Sequence, residues 1–363
     1  MSETKFSNYQ SEDGSTGPDL VGVTTFTSPY YFVPPSGNTA QRPSGEGLAP
    51  GMLRFNTDIG RLETWRGDHW ATILGVESAV VGGRGVYSGG NPGVNVIDYI
   101  SISSTGNALD FGDLTVARGA GMGGCGSQTR GLFGGGATPT FSNVIDYITI
   151  AATGNATDFG DLTLARRETD SCSDSTRGVW GGGEAVPTPS VATVDYVTIA
   201  STGNATSFGS LWGGRYGPNS LAGKTRGVFY GGTGGDNTIQ YITIQSTGNT
   251  VDFGDLTVGR RSGNGGCSSS IRGVMAGGYP TTNVIDYITI STTGNAIDFG
   301  DLISASYGNR GMSSPIRGVW AGAGSTNIIQ YVTIATLGNT QDFGDLTVAR
   351  GYGGATSNAH GGL

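Results

Sequence analysis

Charge is scarce in this chain: Asp, Glu, Lys and Arg make up 13% of 363 residues, and the net charge is −8. A phosphate backbone is held by clustered Lys and Arg, so this sparse, acidic surface argues against nucleic acid as a partner. Histidine is almost missing, with His69 and His360 the two in the sequence. Nucleophilic catalysis through histidine needs its members to converge, and these two fall in separate modules, one in a turn and one in a terminal strand. No run of 18 apolar residues occurs, so no membrane-spanning helix is expected. The N-terminus shows no basic segment leading into an apolar core, and no secretory signal is visible.

Cysteine is nearly as rare. Cys125, Cys172 and Cys267 each stand five residues before an Arg-Gly pair, where other copies of the same pattern hold Leu221, Met312 and Ala355. A position shared by Cys, Leu, Met and Ala is a buried strand site in which cysteine acts as a small hydrophobe. Equivalent sites in different copies lie too far apart for a disulfide. All three read as free thiols.

What the chain has in abundance is glycine and repetition. A unit of 44 to 49 residues recurs six times between Arg84 and Leu363. Arg-Gly followed by two hydrophobic residues begins at Arg84, Arg130, Arg177, Arg226, Arg272 and Arg317. Gly-Asn follows at Gly106, Gly154, Gly203, Gly248, Gly294 and Gly338, and Asp-Phe-Gly-Asp-Leu comes next in five of the six copies. The 67 glycines recur at fixed places, so they read as turns and close strand contacts rather than a flexible tract.

One copy shows the local logic. Arg272 to Gly278 is a short strand ending in a double glycine, and Asn283 to Ile290 is a β-branched and aromatic strand. Thr293-Gly294-Asn295 predicts a tight hairpin, because Gly and Asn tolerate positive φ. Ala296 to Leu302 is the return strand, and the Gly- and Ser-rich stretch around Met312 supplies a fourth. Four antiparallel strands per repeat, with no helical period, predict an all-β chain with a six-bladed β-propeller. The segment from Arg350 to His360 matches the strand that precedes every repeat, with His360 at the Arg position. It is expected to pair with Arg84 to Gly90 and close the ring, in competition with Val76 to Ala79 for the same slot.

The double glycines, Tyr147 with Phe159 and Tyr287 with Phe299 resemble the blades of the Kelch propeller family over residues 77 to 363. Kelch blades usually carry Trp where this chain has Phe. The resemblance implies a Kelch-like fold and little about activity. Some Kelch-like propellers are copper oxidases, but two histidines in different modules and scattered buried cysteines cannot assemble that site.

Before the repeats, residues 1 to 40 form a polar, Ser/Thr/Gly/Pro-rich segment read as a flexible or partner-ordered arm. Residues 41 to 76 read as a small β-module of three strands, with turns at Asn56 to Gly60 and Arg66 to His69. Its Ala40-Gln41-Arg42-Pro43, Pro50-Gly51-Met52, Arg54-Phe55-Asn56-Thr57-Asp58, Gly60, Trp70 and Ile73 resemble a module of tailed-bacteriophage appendage proteins. The Gly-Asn-Ala-x-Asp-Phe-Gly-Asp-Leu repeats are similar to those of marine-phage virion proteins. The resemblance implies a virion structural protein on the tail or capsid surface, assembled in the host cytoplasm. It implies docking on other virion proteins through residues 1 to 76, with Met52, Phe55, Trp65 and Trp70 as docking residues. It also implies a homo-oligomer, although no coiled-coil heptad supports a trimer.

Three further features carry residue types suited to chemistry or binding. The pairs Asp110/Asp113, Asp158/Asp161, Asp252/Asp255, Asp298/Asp301 and Asp342/Asp345 invite a calcium or glycosidase reading. Ser207 and Ser210 replace both carboxylates in the third copy, so a structural role is expected, with the second Asp pairing with the Arg five residues on, as Asp113 with Arg118. The six repeat arginines are expected to bond carbonyls or carboxylates of a neighbouring blade. Arg66-Gly67-Asp68 matches an integrin-binding triplet, which three turn residues alone do not support.

The loops after the double glycines vary in length and content, and loops on a rigid scaffold are where recognition concentrates. Phe141, Trp212, Tyr216, Tyr279 and Tyr307 are the expected ligand-binding residues of that face, able to stack on sugar rings or anchor a protein. The expectation is therefore a non-enzymatic appendage for host-surface recognition of a glycan or protein, without metal or cofactor. A capsid or tail decoration protein is the first alternative. A glycan-cleaving appendage is the second, with Glu168/Asp170 and Glu184 as its local carboxylates.

Overall fold

The computed structural model describes residues 34–45, 47–73, 83–262, 265–324 and 326–363. Most of the 1–40 arm and the competing segment Val76 to Ala79 lie outside these residues. The chain divides into two compact units, Met1–Glu77 and Ser78–Leu363. Among the described residues the elements are strands, apart from one 3-10 turn at Thr39–Gln41.

In the first unit, Leu53–Asn56, Arg61–Trp65 and Trp70–Thr72 form an antiparallel meander, as expected, and Ser36–Gly37 adds a short parallel edge strand. Its polar centre is Glu63, fully buried between Arg42, Arg54 and Asn56. The hydrogen bond from Arg42 holds the Glu63 carboxyl below its ordinary range, against the cost of burial.

The second unit contains six four-stranded antiparallel sheets, one per repeat, and none closes on itself. The first joins Arg84–Ser88, Val94–Ser101 and Leu109–Arg118 to the C-terminal strand Gly354–Ser357, whose Gly354 pairs with Ser88 and Ser357 with Gly85. The second to sixth sheets begin at Gly123, Asp170, Asn219, Cys267 and Arg310 in chain order. In each, the Tyr of the third strand meets the Phe of the outer strand edge-on, with centroids 5.8–6.1 Å apart.

Apolar burial lies between sheets rather than within them. Val86, Ile97, Phe111 and Leu114 of the first sheet pack on Met122, Phe133, Ile148 and Ile150 of the second. Five equivalent clusters follow, and the last joins Val319, Ile329, Phe343 and Leu346 of the sixth sheet to Tyr87, Ile100 and Ile102 of the first. The hydrogen bonds repeat the same order. Gly154 and Ala156 donate their backbone N–H groups to the carbonyls of Phe111 and Asp113, and Asn155 Oδ1 accepts from Asp113 N–H at 3.1 Å. The final set runs from Gly106, Asn107 and Ala108 to Phe343 and Asp345.

This corrects the expected tight hairpin at Gly-Asn. Tyr99 pairs with Leu109, so the connection from Ile102 to Ala108 is a longer loop, and its Gly-Asn-Ala part docks on the neighbouring sheet. The glycine of Asp-Phe-Gly-Asp is needed for that approach: a Cβ on Gly112 would stand 2.4 Å from Gly154 O, and its φ is +144°.

The repeat arginines cap the same interfaces. Arg84 donates to Ile150 O at 2.8 Å and Arg317 to Ile102 O at 3.1 Å, with the four between them doing likewise. Each guanidinium also lies 4.4–4.8 Å over the Tyr of its own sheet. The expected Asp113–Arg118 pair does not form. Arg118, at the end of its strand, turns across the interface to Asp146 of the second sheet at 2.6 Å, both side chains fully buried. Arg166–Asp195, Arg260–Asp286 and Arg350–Asp98 repeat this pair at 2.7–3.0 Å.

Candidate functional site

Six residues at the start of the inner strands share a left-handed backbone: Ala120, Glu168, Gly217, Ser262, Gly308 and Tyr352, with φ between +51° and +81°. Four are not glycine, a strain of about 1 kcal/mol or more each unless surroundings compensate. The compensation is a circuit of backbone hydrogen bonds. Gly217 N–H donates to Glu168 O, Ser262 to Gly217, Gly308 to Ser262, Tyr352 to Gly308, Gly121 to Tyr352 and Glu168 to Ala120, over 2.8–3.4 Å. Side chains at and beside these positions differ from sheet to sheet, and they form the candidate site.

Three of the five aromatic residues singled out from the sequence come together there. Arg261 lies over both Tyr216 and Tyr279, at 5.4 and 5.0 Å. Tyr279 meets Tyr307 edge-on at 5.8 Å, and Tyr307 meets Tyr352 at 6.1 Å. Arg261 and Tyr352 had no distinguishing signal as site residues, because only the fold brings their loops together. Phe141 sits under Arg167 at 4.9 Å, and Arg167 is paired with Glu184 at 2.8 Å. Trp212 is placed differently: the residue is 65% exposed and its backbone N–H donates to the Gln240 side chain.

Glu168 is the buried charge of this cluster. It is 6% exposed, and its Oε2 has no hydrogen-bond partner. Burial pushes its carboxyl up, with Arg310 and Arg167 pulling against that shift. Burial, with Glu168 beside it, also raises the Tyr216 and Tyr352 hydroxyls. Asp170 lies deeper, 4% exposed, accepting from Ser220 N–H at 2.7 Å and facing Arg310 at 3.5 Å. The carboxylates Glu168, Asp170 and Glu184 therefore do not line an open groove together: two are buried and the third is engaged by Arg167.

Between the inner strands lies a polar cavity of about 50 Å³, lined by Asp170, Ser171, Ser220, Arg310, Ser313 and Ser357 among others. The backbone circuit stands at one end of these strands. At the other end, His360 Nε2 donates to Gly126 O at 2.9 Å and Nδ1 accepts from Gly362 N–H, which assigns the neutral Nε2–H tautomer. A Cβ on Gly361 or Gly362 would collide with Ser269 O or Ser173 O, so the double glycine lets the tail pass close to both. His360 thus lies beyond the closing strand Gly354–Ser357, not in it. The other histidine, His69, is exposed and bonded to Asp68.

The outer acidic pairs leave their carboxylates at the surface: Asp110 is exposed and Asp113 partly so. No group of three or more His, Cys, Asp or Glu converges among the described residues. The three cysteines are free and buried. Among the described residues no helix is long and apolar enough to cross a membrane.

In the first unit, Trp65 and Trp70 pack with centroids 5.6 Å apart, and Trp70 donates Nε1–H to Pro43 O. Met52 and Trp70 line one groove of about 340 Å³ with Pro35, Leu48 and Leu53. Phe55 is partly buried on the strand beside them, with its backbone N–H bonded to Pro35 O.

A second set of residues recurs in step across the interfaces. Where the third strand carries Asp before Tyr, the outer strand of the preceding sheet supplies Thr115, Thr163, Thr257 or Thr347, whose hydroxyl donates to that Asp. Where the third strand carries Gln240 or Gln330, Trp212 or Ile303 takes the Thr place. Thr250 or Thr340 then replaces the Ala after Gly-Asn and donates its hydroxyl to the Gln. The copies covary because each set closes one buried polar network across an interface.

Neither a known protein-family model nor a curated protein matches this chain.

Proposed function

We propose that residues 77 to 363 form a six-bladed, Kelch-like β-propeller that recognises an extracellular surface through its variable loop face. The support for the propeller is the cyclic order of contacts, in which every sheet caps the next and the sixth caps the first. The observation that carries the recognition reading is the placing of Tyr216 and Tyr279 under Arg261, with Tyr307 edge-on to Tyr279, on an otherwise repetitive frame. Partly exposed aromatic rings beside a guanidinium are suited to stacking on sugar rings or anchoring a protein.

The setting we propose is a phage particle, with the first unit docking on other virion proteins through Met52, Phe55, Trp65 and Trp70. The resemblance of residues 40 to 73 to phage appendage modules supports it. The burial of Glu168 and Asp170 disfavours glycan cleavage, which needs an acid and a base open to substrate. The role is binding rather than chemistry.

The test is twofold. Antibody against the propeller, located on purified particles by electron microscopy, should label distal tail or fibre tips; label scattered over the capsid would make this a decoration protein. Purified full-length protein should adsorb to host cells and lose most adsorption in a Tyr279→Ala/Tyr307→Ala variant. Equal adsorption by that variant would remove the assigned face.

A further inference from the structure

Five of the six interfaces between sheets place an arginine at the end of the outer strand or five residues past it: Arg118, Arg166, Arg215, Arg260 and Arg350. Four of them engage a buried Asp on the next sheet, and Arg215, facing Gln240, turns to Asp236 at 2.7 Å. The fifth interface in chain order differs. Ser306 holds the arginine place and Gln330 the aspartate place. Arg118 Nη1 reaches Val144 O, and the residue equivalent to Val144 in the sixth sheet is Ile328. No guanidinium stands in the arginine place here, and Ser306 Oγ instead accepts from Asn309 Nδ2 at 2.8 Å. A groove of about 190 Å³ runs between the fifth and sixth sheets, lined by Thr281, Ser304, Ser306, Tyr307, Thr326, Ile328 and Gln330 among others.

The substitutions also set the chemistry of what fits. Losing both members of a buried ion pair leaves no fixed charge at this position, so neither an anion nor a cation would find a partner to offset its desolvation. What remains is neutral: serine and threonine hydroxyls and a glutamine amide, set among the apolar side chains of Ala305, Ala323 and Ile328. Gln330 is held rigid, its Oε1 accepting from Ile303 N–H at 3.1 Å and Thr340 Oγ1 at 2.7 Å. Tyr307 supplies an aromatic wall and is itself braced by Tyr279 and Tyr352. Hydroxyl and amide groups beside a braced ring complement a pyranose, whose hydroxyls hydrogen-bond and whose C–H face packs on an aromatic.

We propose that this groove is a subsite for one neutral sugar residue, with Tyr307 as the stacking wall and the exposed Ser304 and Thr326 as hydrogen-bonding groups. It rests on the recognition reading above and gives that reading a place and a ligand class.

The test uses the full chain and a panel of neutral methyl glycosides at millimolar concentration, with binding read by ligand-observed NMR. At least one member should bind. A Ser306→Arg/Gln330→Asp variant rebuilds the ion pair of the other interfaces and fills the groove. It should keep the wild-type unfolding midpoint or raise it, while weakening binding at least about tenfold. Tyr307→Ala should weaken it similarly. Absence of binding by every neutral glycoside, or undiminished binding by both variants, overturns the subsite. Charged controls, a sialoside and a glucosamine, should bind more weakly; preference for either also overturns it. Cell adsorption separates the two levels: a groove-filled variant that neither binds sugar differently from wild type nor loses adsorption leaves the recognition reading standing and the subsite refuted. Loss of wild-type adsorption itself would refute the recognition reading.

Discussion

Arg350 donates to Asp98 across 3.0 Å, with both side chains fully buried, and so ties the end of the last repeat to the first sheet. Thr347 donates its hydroxyl to the other oxygen of Asp98. The same Thr–Asp–Arg set locks neighbours in the chain elsewhere, and here it joins residues from opposite ends of the repeat region.

Removing one partner leaves a buried charge unpaired. Arg350→Met is expected to cost about 3–5 kcal/mol of unfolding free energy, measured by urea denaturation. Arg350→Met/Asp98→Leu should recover much of that loss. A double variant as unstable as the single one would mean the pair contributes through something other than charge compensation.

Gly112 and Gly106 separate two costs of a side chain. Both have strongly positive φ, but a Cβ on Gly106 meets nothing within 4 Å, whereas one on Gly112 meets Gly154 O. Gly106→Ala should cost about 1–2 kcal/mol of backbone strain, and Gly112→Ala about 3 kcal/mol or more because the interface must also open. Equal thermal-shift losses would contradict the close approach.

His360 gives stability a pH dependence. Burial lowers its folded-state pKa below the ordinary value of about 6.5, with the hydrogen bond to Gly126 O opposing the shift. The unfolded chain therefore binds the proton more readily. The contribution is present above about pH 6.5 and is lost as pH falls through the lower folded-state pKa. His360→Gln, which keeps a donor and an acceptor, should flatten that acid-side slope; an unchanged slope would assign it elsewhere.

Burial also raises the thiols of Cys125, Cys172 and Cys267, which keeps them protonated. A thiol-reactive dye should label none of them in the folded protein and all three in denaturant. Rapid native labelling would show that the inter-sheet cores open.

Much of this frame was legible in the chain. The Arg-Gly starts, the Tyr strands and the buried cysteine positions all follow from residues that recur in step, since each copy must solve the same packing problem. Asp113 and Arg118 are close in sequence but do not pair. Arg118 ends its strand at an interface, and the nearest buried carboxylate belongs to Asp146 on the next sheet. Gly-Asn looked like a hairpin because those residues favour positive φ, but here that conformation serves a clamp between sheets.

By itself, the sequence determined the β-sheet composition, the count of repeats and the positions free to vary, because strand alternation and turn residues are local properties. Only the tertiary structure decided which residues share a surface. Arg261, Tyr216, Tyr279, Tyr307 and Tyr352 come from successive copies, and the groove beside Tyr307 lies at the interface where Ser306 stands in the place of the arginine of the other copies. Such neighbours are set by how sheets pack side by side, a relation between residues far apart in the chain that no local pattern encodes.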